Sequence, residues 1–178
     1  MAHVEVDFRR DFEAVMHALG TRGLLLGSYD ARGKANFMTI GWGVLGIVWG
    51  LPMWVVLVRP SRYTFGCIER TGFFSVNVPT KGMEKTCAVC GSKSGRDMDK
   101  VLACKLTVEK GSYASAPVIL ECPIVYECKV VHSTDVIPER LAEEVRAEAY
   151  PKGDYHRLYF GKILATRAEA DPGSLLAK

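Results

Sequence analysis

The sequence predicts a mainly β fold with peripheral helices, built as a largely antiparallel barrel or sandwich. Short runs of β-branched and aromatic residues outnumber the segments with helical periodicity, and their irregular spacing is unlike that of repeated strand–helix–strand units. No internal repeat and no linker rich in Ser, Pro or Gly divides the chain. We therefore expect one domain over residues 1–178, a length that allows a substantial core.

The first half of the chain predicts one helix and three strands. Apolar residues at helical spacing predict a helix over residues 9–19, and the glycine that follows is a typical end. Residues 23–29 and 35–41 are expected to pair as a hairpin around a turn at 30–33. The apolar run at residues 53–58 is rich in β-branched and aromatic side chains, which predicts a buried strand.

The second half contains both helices and strands. Ser61 is expected to cap a helix over residues 62–70, and residues 73–78 alternate between apolar and polar positions as a strand does. The mixed segment at residues 81–110 predicts two short helices joined by a Ser/Gly loop. The remaining elements are two strands with a charged helix between them, over residues 124–132, 138–149 and 157–166.

Composition and charge exclude several classes of protein. The 23 Lys and Arg residues against 20 Asp and Glu give a net charge of +3, and the basic residues are dispersed. We therefore expect no binding to nucleic acid and no polybasic membrane anchor. The N-terminal segment carries acidic residues and lacks the apolar core of a secretory signal, which predicts a cytoplasmic location. The six cysteines are then expected to be mostly free thiols.

An uncharged run over residues 35–58 is long enough to suggest a membrane span. Five small or helix-breaking residues interrupt it: four glycines and Pro52. Its second half also resembles a buried strand, so we reject the membrane interpretation.

The glycine motif at residues 41–46 has the form of a dinucleotide-binding fingerprint, G-x-G-x-x-G. That fingerprint functions only where its third glycine opens a helix whose amides face a pyrophosphate. Too few residues separate Gly46 from Gly50 and Pro52 for such a helix. We therefore do not interpret the motif as a Rossmann site.

The segment at residues 59–64 is a better candidate for anion binding, because a buried strand is predicted to turn into a helix there. Free amides at a helix N-terminus attract phosphate. Ser61 and Thr64 add hydroxyl donors, while Arg59 and Arg62 add positive charge. An ordinary capped helix with solvated arginines explains the same residues equally well.

Cys87 and Cys90 have the C-x-x-C spacing of a redox dithiol or of half a zinc site. No second C-x-x-C pair completes a zinc site, and no strand–helix–strand unit of the thioredoxin type is predicted around the motif. Buried structural thiols are the favoured interpretation, with a metal or dithiol module as the alternative.

Several motifs occur in an order that is typical of one family. They lie at residues 36–42, 59–64, 74–79 and 94–100, followed by shorter matches that end at Gly161. On these motifs the chain resembles the flavin reductase-like, FMN-binding split-barrel family, and in particular its flavoredoxin branch. The resemblance implies a largely antiparallel Greek-key split barrel that forms a homodimer and holds FMN without a covalent bond.

The resemblance also implies which side chains contact FMN. Those expected at or beside the isoalloxazine ring are Asn36, Met38, Thr39 and Asn77. Those expected at the ribityl and phosphate end are Arg59, Ser61, Tyr63, Thr64, Ser94 and Lys100. No catalytic residue is named, because hydride transfer to a flavin depends on stacking and orientation more than on a side-chain acid or base.

The function implied is that of an FMN-binding oxidoreductase, which takes electrons from NAD(P)H or a protein donor and passes them to flavin, iron or a redox partner. One alternative is a flavoredoxin-type electron carrier without an NAD(P)H site of its own. The other, from a different class, is the metal or dithiol module at Cys87 and Cys90. The chain departs from the family pattern at Lys162 and at Asp154-Tyr155-His156, where an electron donor would dock.

Overall fold

The computed structural model describes residues 3–172 and Leu176. The strands in this part of the chain are β1 (Val4–Glu5), β2 (Leu24–Tyr29), β3 (Ala35–Ile40), β4 (Gly43–Val48), β5 (Leu51–Val58), β6 (Phe73–Val78), β7 (Val108–Lys110), β8 (Pro117–Ile119), β9 (Ile124–Asp135) and β10 (Arg157–Ala168). The helices are α1 (Phe12–Thr21), α2 (Tyr63–Thr71), α3 (Glu84–Ser92), α4 (Lys100–Ala103) and α5 (Glu143–Ala149). The predicted mainly β fold class is confirmed.

Eight strands form one sheet in the order β3-β2-β6-β9-β10-β5-β4, with β1 added against β10. Its pairings are antiparallel, as the sequence predicts. Strands β7 and β8 form a separate antiparallel pair. The long strand β10 joins the two halves of the large sheet, because it pairs with β9 along one side and with β5 along the other.

Alternating apolar side chains of the strands form the main core. Phe74, Val76 and Val78 of β6 are fully buried, and they pack with Trp54 of β5 and Tyr126 of β9. A second, smaller apolar cluster lies beneath α3 and contains Leu25, Phe37, Cys87, Cys90 and Cys122. The two clusters therefore lie on opposite faces of β2, where Leu24 and Leu26 belong to the first and Leu25 to the second.

The uncharged run over residues 35–58 forms strands β3, β4 and β5. Strand β4 was not predicted, because Gly43 and Gly46 interrupt the run of β-branched and aromatic residues that indicates a strand. It pairs with β5 through a tight turn at Trp49 and Gly50, whose φ angles are 52° and 70°. No helix follows the glycine motif, so it has no Rossmann geometry. Among the described residues, no helix is long and apolar enough to cross a membrane.

Two local predictions are wrong. Ser61 does not cap α2: the cap position is Arg62, in an extended conformation, and the Ser61 hydroxyl donates a hydrogen bond to Asp154 instead. The helix expected over residues 138–149 is divided into a 3₁₀ turn at Pro138–Arg140 and α5. Leu141 is extended, with a ψ angle of 141°, and α5 has no buried residue whose packing could favour a longer helix.

We predict that Gly161→Ala destabilises the fold. Gly161 lies at an irregularity in the pairing of β10 with β9, and a Cβ there would overlap the buried ring of Phe74 and lie 2.9 Å from the Cβ of Cys128. Overpacking of this kind costs about 1–3 kcal/mol. Chemical denaturation should show a loss of that size, whereas Gly20→Ala, which meets nothing within 4 Å, should preserve or raise stability. Equal stability of the two variants would contradict the packing argument.

Candidate functional site

Two adjoining cavities lie where β3, β5 and α2 meet. The first, of about 210 Å³, is lined by Met38, Thr39, Ile40, Gly41, Trp42, Leu57, Arg59, Arg62 and His156. The second, of about 130 Å³, is lined by Met38, Ser61, Arg62, Tyr63, Thr64, Cys90, Gly91, Ser92, Lys93, Ser94, Gly95, Arg96 and Lys100. Because Met38 and Arg62 line both, the cavities form one elongated cleft with two ends.

The second cavity is strongly cationic. Its walls hold four positively charged residues, Arg62, Lys93, Arg96 and Lys100, and no carboxylate side chain among the residues that line it. Five hydroxyl groups accompany them, those of Ser61, Tyr63, Thr64, Ser92 and Ser94. Three of them already donate hydrogen bonds within the protein, those of Ser61, Tyr63 and Ser92, which leaves the hydrogens of Thr64 and Ser94 for a ligand. Such a set of donors and charges matches a phosphate group.

Lys100 is the most informative of these cations, since the residue is only 5% exposed. Its Nζ donates hydrogen bonds to the carbonyl oxygen of Phe37 at 2.9 Å and to that of Cys90 at 3.0 Å. Within residues 3–172 it forms no ion pair, and burial lowers the pKa of its ammonium group. A buried charge without a counter-ion is unfavourable, so an anion in the second cavity would stabilise this site.

Thr64 and Asn36 form a buried pair at the start of α2. The Nδ2 of Asn36 donates to the Thr64 hydroxyl at 2.8 Å, which leaves the Thr64 hydrogen able to donate to another acceptor. Thr64 lines the second cavity, whereas Asn36 lines neither cavity and contacts Thr64 instead, so its expected contact with the isoalloxazine ring stays a prediction. A side chain at Gly95 would overlap both Asn36 and Tyr63, so the glycine allows the 94–96 loop to lie against this pair.

The first cavity is lined by fewer charged residues than the second, with Arg59 and Arg62 as its cations. Met38 stands between the two cavities, and the Thr39 hydroxyl donates to the carbonyl oxygen of Cys87 at 2.6 Å, which joins β3 to α3. The Trp42 side chain is 47% exposed beside this cavity. Thr39 thus lies at the end of the cleft away from the cationic cavity, and Met38 lies at the junction of the two cavities.

Arg59 does not occupy the place that the sequence predicts for it. It lines the first cavity and not the cationic one. Its guanidinium donates to the carbonyl oxygens of Ala149 at 2.9 Å and Asp154 at 3.1 Å, and it lies over the Tyr150 ring at 5.2 Å. The charge of Arg59 therefore anchors the segment before β10 and lies apart from the cavity that Ser61 and Thr64 line, so its expected contact with a phosphate stays a prediction.

Asn77 also lies elsewhere. It lines neither cavity and is fully buried on β6. Its Nδ2 donates to the carbonyl oxygen of Leu25 and to the Ser75 hydroxyl, and its Oδ1 accepts from the backbone amide of Ile119 in β8. Because the protein uses all of these groups, Asn77 holds β6, β2 and β8 together, and its expected place beside a flavin stays a prediction.

His156 is a site residue that the sequence interpretation left without a role. It lines the first cavity, its Nδ1 lies 2.8 Å from the Tyr150 hydroxyl, and its ring centre lies 5.1 Å from that of Trp42. Burial and, to a smaller extent, the charge of Arg59 lower the pKa of His156 to about 4, so the imidazole is neutral near pH 7. The departure from the family pattern at Asp154-Tyr155-His156 was the one sequence signal that pointed to this position.

Cys87 and Cys90 behave as structural thiols. Both are buried in the smaller apolar cluster, and burial raises the pKa of Cys87 to about 11 and that of Cys90 to about 12. Thiols with such pKa values are protonated near pH 7 and react slowly. Over the part of the chain that the structure describes, no three His, Cys, Asp or Glu side chains form a metal site. These observations favour the structural interpretation over a metal or dithiol module.

Comparison with known proteins identifies what the chain is similar to. The flavin reductase like domain family matches residues 16–177. No curated protein sequence matches the chain significantly. A flavoredoxin from Methanosarcina acetivorans is 32% identical, with a TM-score of 0.67 and an alignment that covers 84% of this chain and 69% of that chain.

Two further solved structures share the fold at lower identity. The flavoredoxin of Desulfovibrio vulgaris (Miyazaki F) is 22% identical, with a TM-score of 0.68 over 84% of this chain and 70% of that chain. An FMN-binding protein from Thermus thermophilus with bound 1-cyclohex-2-enone is 22% identical, with a TM-score of 0.64 over 81% of this chain and 68% of that chain. The family match, which extends over nearly the whole chain, and the antiparallel fold agree with each other. The chain belongs to the flavin reductase-like domain family.

Proposed function

We propose that this chain binds FMN along the cleft, with the phosphate in the cationic cavity and the isoalloxazine ring toward the first cavity. The observation that carries the proposal is the buried Lys100 ammonium, which lines the cationic cavity without a carboxylate partner among the described residues. The hydroxyls of Ser61, Thr64 and Ser94 and the aromatic ring of Tyr63 line the same cavity. A phosphate monoester supplies the charge that this arrangement lacks.

Bound FMN would supply hydride and electron transfer, while the protein binds and orients it. Thr64 and Lys100 would hold the phosphate, with Asn36 fixing the Thr64 hydroxyl from behind. Met38 and Thr39 would lie at the ring end, where the Thr39 hydroxyl is already held by a backbone carbonyl. The neutral His156 would face the same end without adding a charge.

The proposed activity is that of an oxidoreductase that takes electrons from NAD(P)H or a protein donor and passes them to flavin, iron or a redox partner. Support comes from the family and from the exposed Trp42 ring beside the first cavity, a surface on which a planar donor could stack. The cytoplasmic location expected from the sequence, where NADH and NADPH are available, is part of this proposal. The second candidate is an electron carrier without its own NAD(P)H site, favoured by the 32% identity to a flavoredoxin.

An anaerobic titration separates the two candidates. We predict that the purified protein has the visible spectrum of oxidised flavin, and that stoichiometric NADH or NADPH bleaches it. The control is dithionite, which should bleach the same spectrum in either case. A flavin that dithionite reduces and that both nicotinamides leave oxidised would show the electron carrier, and a colourless protein that takes up no FMN would contradict both.

We predict that Lys100→Met weakens FMN binding far more than riboflavin binding. The variant keeps the length of the side chain but removes its charge, and a hydrogen bond to a charged group contributes about 1.5–3 kcal/mol, or roughly ten- to hundredfold in affinity. Quenching of flavin fluorescence measures both dissociation constants. The control is Lys85→Met on the exposed surface of α3, which should change neither. An equal loss for the two flavins would remove Lys100 from the phosphate site.

We further propose that two copies of the chain form a homodimer through β4. This edge strand and its turn carry large apolar side chains on the surface: Trp42 is 47% exposed, Val44 58%, Ile47 59% and Trp49 64%. The Trp49 ring also packs against His132 and Phe160, which extends the apolar surface onto β9 and β10. A patch of this kind on an open strand edge is typical of an interface.

The oligomeric state tests this second proposal. Light scattering coupled to size exclusion should give the mass of a dimer, and the double variant Val44→Lys/Ile47→Lys should give that of a monomer. Leu102→Lys, which changes an isolated side chain that is 75% exposed on α4, should leave the dimer intact. A monomeric parent protein would contradict the proposal.

A further inference from the structure

Four of the six cysteines lie close together beside the cationic cavity. Cys87 and Cys90 belong to α3, Cys104 follows α4 directly, and Cys122 lies just before β9. Each of them is near enough to another to influence its pKa. All six thiols of the chain are free, and the proposed binding of FMN gives none of these four a chemical role.

The geometry of α4 directs Cys104 toward Cys90. The Cys104 amide donates to the carbonyl oxygen of Lys100 at 3.0 Å, so these two side chains lie one turn apart on the same face of the helix. The Lys100 Nζ donates to the carbonyl oxygen of Cys90 at 3.0 Å, which shows that this face is turned to the last part of α3. The thiols of Cys90 and Cys104 are neighbours across this contact, and a hydrogen bond between them adds to the effect of burial in raising the pKa of Cys90.

The two thiols differ in what can reach them. Cys90 is 1% exposed, whereas Cys104 is partly exposed, so a small dissolved oxidant meets Cys104 first. Cys90 is slow to react with such an oxidant, because burial keeps it protonated. It can still react with an oxidised sulfur that already lies next to it, since proximity replaces a collision in solution. The Lys100 ammonium lies near both sulfurs and favours their thiolate forms.

The segment between these two cysteines forms one wall of the cationic cavity. Its residues Lys93, Ser94, Arg96 and Lys100 all line that cavity, as does Cys90 itself. A covalent bond from Cys90 to Cys104 would join the two ends of this segment. Closing a loop in this way reduces the number of conformations that its residues can adopt.

We propose that Cys90 and Cys104 form a reversible disulfide when the protein meets a peroxide, and that this bond preorganises the cationic cavity. The pair is distinct from the C-x-x-C pair of Cys87 and Cys90. The effect on the cavity rests on the proposed binding of FMN, whereas the bond itself does not.

The reaction balances with hydrogen peroxide as the oxidant. The Cys104 thiolate attacks one peroxide oxygen, the O–O bond breaks, and Cys104 becomes a sulfenic acid. The other oxygen leaves as hydroxide and takes up the proton that the thiol had lost. The Cys90 sulfur then attacks the Cys104 sulfur, the S–O bond breaks, and the sulfenic hydroxyl leaves as water with the proton of Cys90. The two thiols lose two electrons, one peroxide becomes two waters, and a dithiol reductant reverses the bond by exchange.

Mass spectrometry of the full-length protein tests the bond. After treatment with hydrogen peroxide, free thiols are alkylated under denaturing conditions and the digested protein is mapped. The parent should lose two alkylation sites and contain a linked pair of peptides that carry Cys90 and Cys104, and dithiothreitol should restore both sites. Cys104→Ala should abolish the linked pair. The matched control is Cys87→Ala, which removes the other α3 cysteine beside Cys90 and should leave the pair intact.

Three results of this experiment would overturn the proposal. One is a disulfide between Cys87 and Cys90 in place of the predicted one. Another is oxidation of Cys104 to sulfinic or sulfonic acid without a crosslink, which would show that Cys90 cannot reach it. The third is a parent protein whose six thiols all remain open to alkylation.

Flavin affinity tests the effect on the cavity. Fluorescence quenching gives the dissociation constants of FMN and riboflavin for flavin-depleted protein in its crosslinked and reduced forms. The crosslinked form should bind FMN about two- to tenfold more tightly, because fewer side chains remain to be ordered, and riboflavin equally well. Cys104→Ala should show no change after the same treatment. Unchanged or weaker FMN binding by the crosslinked form overturns the effect on the cavity, and failure of both forms to bind either flavin overturns the proposed function.

Discussion

The buried ammonium group of Lys100 is the interaction on which the cleft depends. Its hydrogen bonds to the carbonyl oxygens of Phe37 and Cys90 join α4 to β3 and α3 beside the cationic cavity. The same charge lacks a carboxylate partner in the described residues, so the protein alone leaves this position electrostatically incomplete. Under the proposed function, ligand binding and local stability are linked, because an anion that neutralises Lys100 also stabilises the contacts of this side chain with β3 and α3.

The parts of the fold that local pattern determines could be predicted from the sequence. The alternation in β6 places Phe74, Val76 and Val78 in the core because successive side chains of a strand point to opposite faces. Ser61, Tyr63, Thr64, Ser94 and Lys100 were predicted as one group and do line one cavity. Most of them belong to short segments at the start of α2 or α4, where the backbone restricts their positions to a few choices; Ser94 lies in the loop between α3 and α4.

Long-range competition explains what could not be predicted. Arg59 lies at a motif position typical of a phosphate ligand. Its guanidinium donates instead to the backbone carbonyl oxygens of Ala149 and Asp154, which are about 90 residues away in the sequence. Asn77 faces β8, a strand of three residues with no sequence signal of its own. Likewise, the neutral state of His156 follows from burial against Tyr150 and Trp42, a contact visible only once β4 and β10 are placed.

Strand β4 ends the large sheet with one side of its backbone unpaired by any other described strand. A row of open amide and carbonyl groups between exposed Trp42 and Trp49 is a template to which other extended chains can add. Under the proposed dimer, each newly made copy carries this template until it meets a second one. The yield of usable protein would then depend on the rate of synthesis, since slow production prolongs the interval in which a lone copy can aggregate or be degraded.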